Sequence, residues 1–251
     1  MKRVLLIITT VLICLSVNAQ SPKEIWTEAN NNYSQANYQA ALEGFLKIEK
    51  SGYVSSALFY NIGNTYFKMN EVGRSILYYE RALKLDPSDK DVINNLQLAR
   101  DFSLDKIEEI PDFILKTWMK EVNYSLSSDA WAYLSIISMA LLALLLLMFR
   151  YGPTPKARKS SFFGAMAALL LIIFSVYFSW SQKHEYYKKD TAIVMKPVST
   201  VKSSPDNSGN TLFILHEGTK VSLIEEIGQW KRVELTDGRQ GWINSLDIEV
   251  I

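Results

Sequence analysis

The sequence predicts a multidomain membrane protein with three kinds of structure: an all-α repeat region, two transmembrane helices and a small all-β barrel. Three observations lead to this fold class. An offset of 34 residues relates apolar positions in the N-terminal part, and two long apolar runs in the middle contain no charged residue. Short apolar runs separated by turn residues then follow to the end of the chain.

The composition argues against several classes of function. The 251 residues include 27 Lys and Arg against 26 Asp and Glu, so the chain lacks the basic excess of nucleic-acid-binding proteins. Two histidines and one cysteine offer little material for a metal site or a Cys–His catalytic pair. We therefore expect no catalytic residue, no metal and no cofactor, and we do not expect nucleic acid as a partner.

Residues 1–19 have the pattern of a secretory signal peptide. A basic start is followed by an apolar run and by small residues before a cleavage site after Ala19. The alternative is an uncleaved N-terminal anchor. Cleavage would remove Cys14, the single cysteine of the chain, and with it all disulfide and thiol chemistry.

Residues 131–149 and 162–180 are predicted to cross a membrane. Each run has 19 residues, and a helix of that length spans about 28 Å, close to the ~30 Å hydrocarbon core. The connecting loop, residues 150–161, contains no acidic residue and four basic ones, which are Arg150, Lys156, Arg158 and Lys159. The positive-inside rule places this loop in the cytoplasm and both flanking regions on the opposite, exported side.

Residues 22–102 are predicted to form helical repeats. The offset of 34 residues is the period of the tetratricopeptide repeat, and the second copy has Gly63, Ser75, Tyr79, Ala82 and Pro87 at the spacing of that pattern. The first copy lacks the closing proline. A third helix with one apolar face follows, and it resembles the capping helix that covers the end of a repeat solenoid. The region therefore resembles two tetratricopeptide repeats with a cap.

This resemblance implies a peptide-binding groove along the inner helices of the repeats. Ten residues occupy the family's groove positions: Trp26, Asn30, Tyr33, Tyr60, Asn61, Asn64, Phe67, Lys68, Asn94 and Asn95. The basic residues that hold a terminal carboxylate in clamp-type members are missing, because Trp26, Asp91 and Asn95 stand at those positions. The alternative is that the asparagines belong to an ordinary solvated helix surface.

Residues 103–130 link the repeat region to the first predicted span. Within this linker, residues 110–122 carry a stripe of apolar side chains beside Lys116, Lys120 and Glu121. The stripe predicts an amphipathic helix that lies on the outer surface of the membrane. The alternative is that the stripe packs against the repeat region.

Residues 187–251 are predicted to form the small all-β barrel. Apolar runs of about four to six residues alternate with turn signals, and Asp237–Gly238 is a strong hairpin signal. The order Gly-Gln-Trp230 and then Gly-Trp242-Ile resembles the bacterial SH3-like domain. Some relatives bind cell-wall peptides, which makes Trp230 and Trp242 candidate ligand residues. In the alternative, both tryptophans belong to the core of the barrel.

The order of these parts resembles the BatE-like proteins, the repeat-containing members of the Bacteroides aerotolerance operon group. The resemblance implies a non-enzymatic scaffold of the bacterial inner membrane with both large domains in the periplasm. It also implies a complex with von Willebrand A-domain Bat proteins and a MoxR-type ATPase, linked to aerotolerance or envelope stress. The alternative function is a peptidoglycan-binding module that acts through the SH3-like domain.

Overall fold

The computed structural model describes residues 21–107 and 113–251, so the predicted signal peptide lies outside the described residues. The helices are α1 (Pro22–Ser34), α2 (Tyr38–Lys50), α3 (Ser56–Lys68), α4 (Val72–Leu85), α5 (Lys90–Asp101), α6 (Ile114–Tyr124), α7 (Ser128–Tyr151) and α8 (Pro155–Tyr187). The strands are β1 (Thr191–Val194), β2 (Val198–Lys202), β3 (Thr211–His216), β4 (Lys220–Ile227), β5 (Trp230–Glu234), β6 (Gln240–Asn244) and β7 (Ile248–Val250). The chain divides into two compact units, one up to residue 54 and one from residue 55.

Helices α1 and α2 form the helical pair of the first unit. Helix α1 begins with a capping box, in which Ser21 and Glu24 each accept a hydrogen bond from the other's backbone N–H. Ala29 and Phe45 are buried between the two helices. Gly44 permits their close approach, because a Cβ at this position would lie 2.9 Å from the Cβ of Ala29.

Helices α3, α4 and α5 begin the second unit, and α4 packs against both of its neighbours. Ser55 caps α3 by accepting a hydrogen bond from the N–H of Leu58, and Asp89 caps α5 in the same way. Gly63 lies against the buried ring of Tyr79, since a Cβ there would lie 2.7 Å from two ring carbons. The predicted helical repeat region is confirmed.

Helices α7 and α8 are the two helices, among the described residues, that are long and apolar enough to cross a membrane. They form an antiparallel hairpin, because the ring of Trp131 packs on Phe178 at one end and that of Phe149 packs on Phe162 at the other. In the most apolar 18-residue stretch of each helix, only 6% of the residues of α7 and 28% of those of α8 are buried. A core helix of a soluble protein would bury most of this surface.

The seven strands form one antiparallel sheet in the order β3-β2-β6-β5-β4-β1-β7. Leu215 on the edge strand β3 and Ile248 on the edge strand β7 belong to the same buried cluster, so the sheet curves around its core. Gly238 has a φ of +86° in the hairpin between β5 and β6, where the sequence predicted a turn. The predicted all-β segment is confirmed.

The sheet packs against the repeat region inside the second unit. Helix α4 contacts β1. The guanidinium of Arg81 on α4 donates to Glu249 Oε1 at 2.8 Å and to the carbonyl oxygen of Val250 at 3.1 Å. Lys84, one turn further along α4, donates to the carbonyl oxygen of Ile251 at 3.0 Å. These contacts join helices and sheet into one compact unit.

Candidate functional site

Three predicted groove residues lie on one face of α1 in the first unit. The ring of Trp26 packs edge-on against Phe45, with 5.6 Å between the ring centroids. Asn30 Nδ2 donates to the carbonyl oxygen of Trp26 at 2.8 Å, and the ring of Tyr33 packs edge-on against Tyr38 at 5.5 Å. Contacts within the first repeat therefore orient all three side chains.

The second unit joins three predicted groove residues in one hydrogen-bond network. Asn64 Oδ1 on α3 accepts from the hydroxyl of Tyr79 at 2.6 Å and from Asn95 Nδ2 on α5 at 3.1 Å. Asn95 Nδ2 also donates to the hydroxyl of Tyr60 at 2.8 Å. The three predicted residues Tyr60, Asn64 and Asn95 are half-buried. Their network ties the capping helix to the inner helix of the repeat.

The remaining groove candidates of the second unit surround this network. Phe67 is half-buried and packs edge-on against Phe102, with 5.5 Å between the ring centroids. Asn61 is half-buried, and its carbonyl oxygen accepts a hydrogen bond from the hydroxyl of Thr65. Lys68 and Asn94 are exposed. The second repeat and its cap thus present an aromatic ring, amides and one cation on neighbouring helices.

Both tryptophans of the sheet lie on the face opposite the buried cluster. Trp230 pairs with Asn244 and Trp242 pairs with Arg232, which makes the two tryptophans diagonal neighbours on β5 and β6. The cluster takes Val233 from β5 and Ile243 from β6 and includes neither tryptophan. Neither tryptophan is therefore a member of the buried cluster, and both are half-buried.

A cation lies beside this aromatic pair. Lys202 Nζ on β2 is 5.7 Å from the ring centroid of Trp230, within the range of a cation–π interaction. Arg232 Nη2 donates to Gln240 Oε1 at 2.9 Å on the same pair of strands. The outer face of the sheet therefore combines two half-buried aromatic rings with two basic side chains.

A charged cluster that was not predicted from the sequence lies between α4 and the sheet. Glu80 on α4 is 6% exposed. One of its carboxylate oxygens accepts from Arg100 on α5 and the other accepts from Lys220 on β4, each at 2.7 Å. Burial lowers the pKa of the nearby Lys84. The negative charges of Asp190 and Glu185 act in the opposite direction but do not outweigh the burial. No short sequence pattern predicts this cluster, because its members are far apart in the chain.

A second polar cluster holds the segment after α5 to the turn between β3 and β4. Asp105 accepts from the backbone N–H of His216 at 2.7 Å and from the hydroxyl of Thr219 at 2.6 Å. Its other oxygen lies 2.8 Å from His216 Nδ1. Burial raises the pKa of Asp105, but the hydrogen bonds from Thr219 and His216 outweigh it and hold that pKa below the ordinary value.

The arrangement at Asp105 differs from a catalytic triad. In a triad, a nucleophilic hydroxyl donates to the imidazole that the carboxylate orients. Here the hydroxyl of Thr219 donates to the carboxylate itself. Among residues 21–107 and 113–251, no group of three or more His, Cys, Asp or Glu side chains is placed to hold a metal ion.

The four basic residues of the predicted cytoplasmic loop lie at the end of the hairpin remote from the sheet. Gly152 follows α7, and Arg158 in the first turns of α8 donates from Nε to the carbonyl oxygen of Gly152 at 2.8 Å. Arg150 lies over the ring of Tyr151, with 5.3 Å between its guanidinium carbon and the ring centroid. Lys156 and Lys159 are exposed on α8.

Comparison with protein families identifies one part of the chain. Residues 56–89, which contain α3 and α4, match the model of the tetratricopeptide repeat family. This segment carries five of the ten groove candidates, from Tyr60 to Lys68. A search of curated proteins finds no match to the chain.

Proposed function

We propose that the protein is a non-enzymatic, membrane-anchored scaffold of the bacterial envelope whose repeat surface binds a protein partner. One observation carries the proposal: a segment that matches the tetratricopeptide repeat family presents Asn61 and Phe67 half-buried and Lys68 exposed on α3. Repeats of this family generally bind other proteins. The network of Asn64 and Asn95 holds α3 and α5 in place and so preorganises the surface for binding.

The membrane is the proposed location of the hairpin formed by α7 and α8. The outward-facing apolar side chains of both helices support this location, since exposing that surface to water is unfavourable and lipid would cover it. The basic loop supports a bacterial inner membrane protein with the repeat region and the sheet in the periplasm.

The order of the parts supports a role in a Bat-type complex. Repeats, a membrane hairpin and an exported SH3-like domain in this order resemble the BatE-like proteins. We therefore propose von Willebrand A-domain Bat proteins as partners and a link to aerotolerance or envelope stress.

Co-purification from detergent-solubilised membranes tests the scaffold function. Crosslinking in intact cells first identifies what the repeat surface touches. Lys68→Glu combined with Asn94→Ala changes two exposed residues of that surface and should weaken partner binding about tenfold, or ~1.4 kcal/mol. Lys90→Glu, the same charge change at an exposed residue outside the candidate set, is the matched control. Wild-type binding by the double variant would refute the groove proposal.

A second candidate function is binding to peptidoglycan through the SH3-like domain. It is favoured by the placement of Trp230 and Trp242 on the outer face, with Lys202 and Arg232 available to meet the carboxylates of cell-wall peptides. A pull-down on purified sacculi tests it with the full chain and with Trp242→Ala. Leu246→Ala, at an exposed apolar residue of the same domain, is the control. Equal retention of all three proteins would remove this candidate.

A further inference from the structure

Helix α6 has one apolar and one polar side. At 100° per residue, Ile114, Leu115, Trp118, Met119 and Val122 fall within an arc of about 140°. The opposite arc carries only polar or charged side chains, which are Lys116, Thr117, Lys120, Glu121, Asn123 and Tyr124. Residues 110–112 of the predicted stripe lie outside the described part of the chain.

The apolar stripe of α6, as defined by those five residues, is largely exposed. Ile114 is 80% exposed and Trp118 is 61% exposed, and Leu115 and Met119 are exposed as well. Phe113, which directly precedes the helix, is also exposed. An apolar surface of this size on one helix indicates that something outside the described chain covers it.

The polar side of α6 faces the rest of the second unit across an open cleft. Lys120, Glu121 and Tyr124 line this cleft from α6, while Lys84 and Lys220 line it from α4 and β4. No residue of the apolar stripe takes part in this lining. The stripe therefore points away from the second repeat and the sheet.

Hydrogen bonds anchor the end of α6 to the hairpin of α7 and α8. The indole N–H of Trp131 on α7 donates to the carbonyl oxygen of Asn123 at 2.9 Å. Gln182 on α8 donates to the same oxygen at 2.6 Å and to the carbonyl oxygen of Leu126 at 2.9 Å. Trp131 begins the apolar run of α7, so α6 ends at the depth where the hydrophobic part of the hairpin begins.

We propose that α6 is an interfacial helix whose apolar stripe inserts into the outer leaflet of the lipid bilayer. The inference rests on the proposed membrane insertion of α7 and α8. Anchoring at the boundary of the hairpin places the helix at the level of the headgroups, and the hairpin itself exposes apolar side chains as the stripe does. The polar side remains toward water, facing the second repeat and the sheet across the cleft. The helix thereby fixes the height and orientation of the exported unit above the membrane.

Site-directed spin labelling of the full chain in phosphatidylethanolamine and phosphatidylglycerol vesicles tests this proposal. In a Cys14→Ser background, single cysteines replace Leu115 or Trp118 on the stripe and Thr117 or Lys120 on the polar side. Collision rates with oxygen, which concentrates in lipid, and with a water-soluble nickel chelate are then compared. Labels on the stripe should collide several-fold more with oxygen and several-fold less with the chelate than labels on the polar side.

A label at Ile137, which is exposed in the middle of α7, tests the membrane insertion of the hairpin separately from the interfacial position of α6. If residue 137 is open to the chelate, the proposed membrane insertion of the hairpin is itself wrong. If residue 137 is protected by lipid but both sides of α6 collide equally with the chelate, only the interfacial helix is wrong. Stripe labels hidden from oxygen and chelate alike would show that a protein covers the stripe, which also overturns the proposal.

Discussion

Lys220 Nζ on β4 lies 2.7 Å from Glu80 Oε2 on α4, and this ion pair joins the sheet to the second repeat. The other oxygen of Glu80 lies 2.7 Å from the guanidinium of Arg100 on α5. One buried carboxylate therefore bridges two cations from different parts of the chain. Removing its charge would leave the two cations close together without the counter-charge that they share.

Glu80→Gln is expected to loosen the interface between the repeat region and the sheet. The amide keeps the shape of the side chain but not its charge, so hydrogen bonds to two cations lose most of their strength. The free energy of local opening should fall by about 2 to 3 kcal/mol. Hydrogen–deuterium exchange of the full chain in detergent measures this loss as faster exchange in β4 and α5.

Glu226→Gln is the matched control for this variant. Glu226 is 61% exposed at its side chain and lies 3.4 Å from Lys231 on the neighbouring strand. A surface ion pair of this kind contributes about 0 to 1 kcal/mol. Equal exchange rates in the two variants would mean that the Glu80 cluster does not hold the interface.

Gly218→Ala is expected to destabilise the same interface by a steric route. Gly218 has a φ of +87°, and a Cβ there would lie 2.8 Å from Ile76 Cδ1 on α4. Backbone strain of about 1 to 2 kcal/mol adds to crowding of about 1 to 3 kcal/mol. Thermal unfolding of the full chain in detergent should therefore shift to a lower temperature.

Gly228→Ala separates strain from crowding at Gly218. Gly228 has a φ of +61° and nothing within 4 Å of the added Cβ, so only backbone strain applies. The difference between the two unfolding temperatures reports the contact with Ile76. A difference of zero would contradict the packing described at α4.

Several predicted features depend on residues close together in the chain. The apolar runs of α7 and α8, the 34-residue offset and the Asp237–Gly238 turn are local patterns, and each predicts its helix, repeat or hairpin correctly. The contact between α4 and the sheet is different. From the local sequence, Glu80 looks like an ordinary surface charge of a helix. Only the fold brings Lys220 of β4, 140 residues later in the chain, beside it.

The outward placement of the tryptophans could have been predicted from the sequence. Side chains alternate between the two faces of a strand, so Trp230 and Val233 on β5 must face opposite sides, as must Trp242 and Ile243 on β6. Once the aliphatic residues are assigned to the core, both tryptophans lie outside it. The link between Asn64 and Asn95 offers no such signal, because it depends on how α5 packs against α3.

Asp105→Asn is expected to change how stability depends on pH. Because the folded-state pKa of Asp105 lies below its ordinary value, its carboxylate stabilises the fold above the ordinary pKa of about 3.9. This contribution is lost as the pH falls through the lower folded-state pKa. At neutral pH the variant should be less stable by about 1 to 3 kcal/mol, since three hydrogen-bond contacts to a charged group weaken.

Unfolding temperatures of the wild type and this variant, measured from pH 7 to about pH 2, check the direction of this pH dependence. The difference between the two proteins should narrow below about pH 4, because the wild-type carboxyl then becomes neutral like the amide. Other carboxyl groups titrate in both proteins and cancel in the difference. A difference that stays constant down to pH 2 would show that Asp105 acts through its shape rather than through its charge.

The positive charges of the loop are expected to control the orientation of the hairpin in the membrane. A periplasm-dependent reporter enzyme should be active when fused after Ile251 and inactive when inserted after Pro153 in the loop, because the basic loop is retained in the cytoplasm. Lys156→Gln with Lys159→Gln removes two exposed positive charges and should weaken this preference, so that some loop insertions become active. Arg158 stays unchanged in this variant, since its side chain also closes the turn at Gly152. Activity at the loop together with silence after Ile251, in the otherwise unaltered chain, would reverse the proposed topology and place the repeat region and the sheet in the cytoplasm.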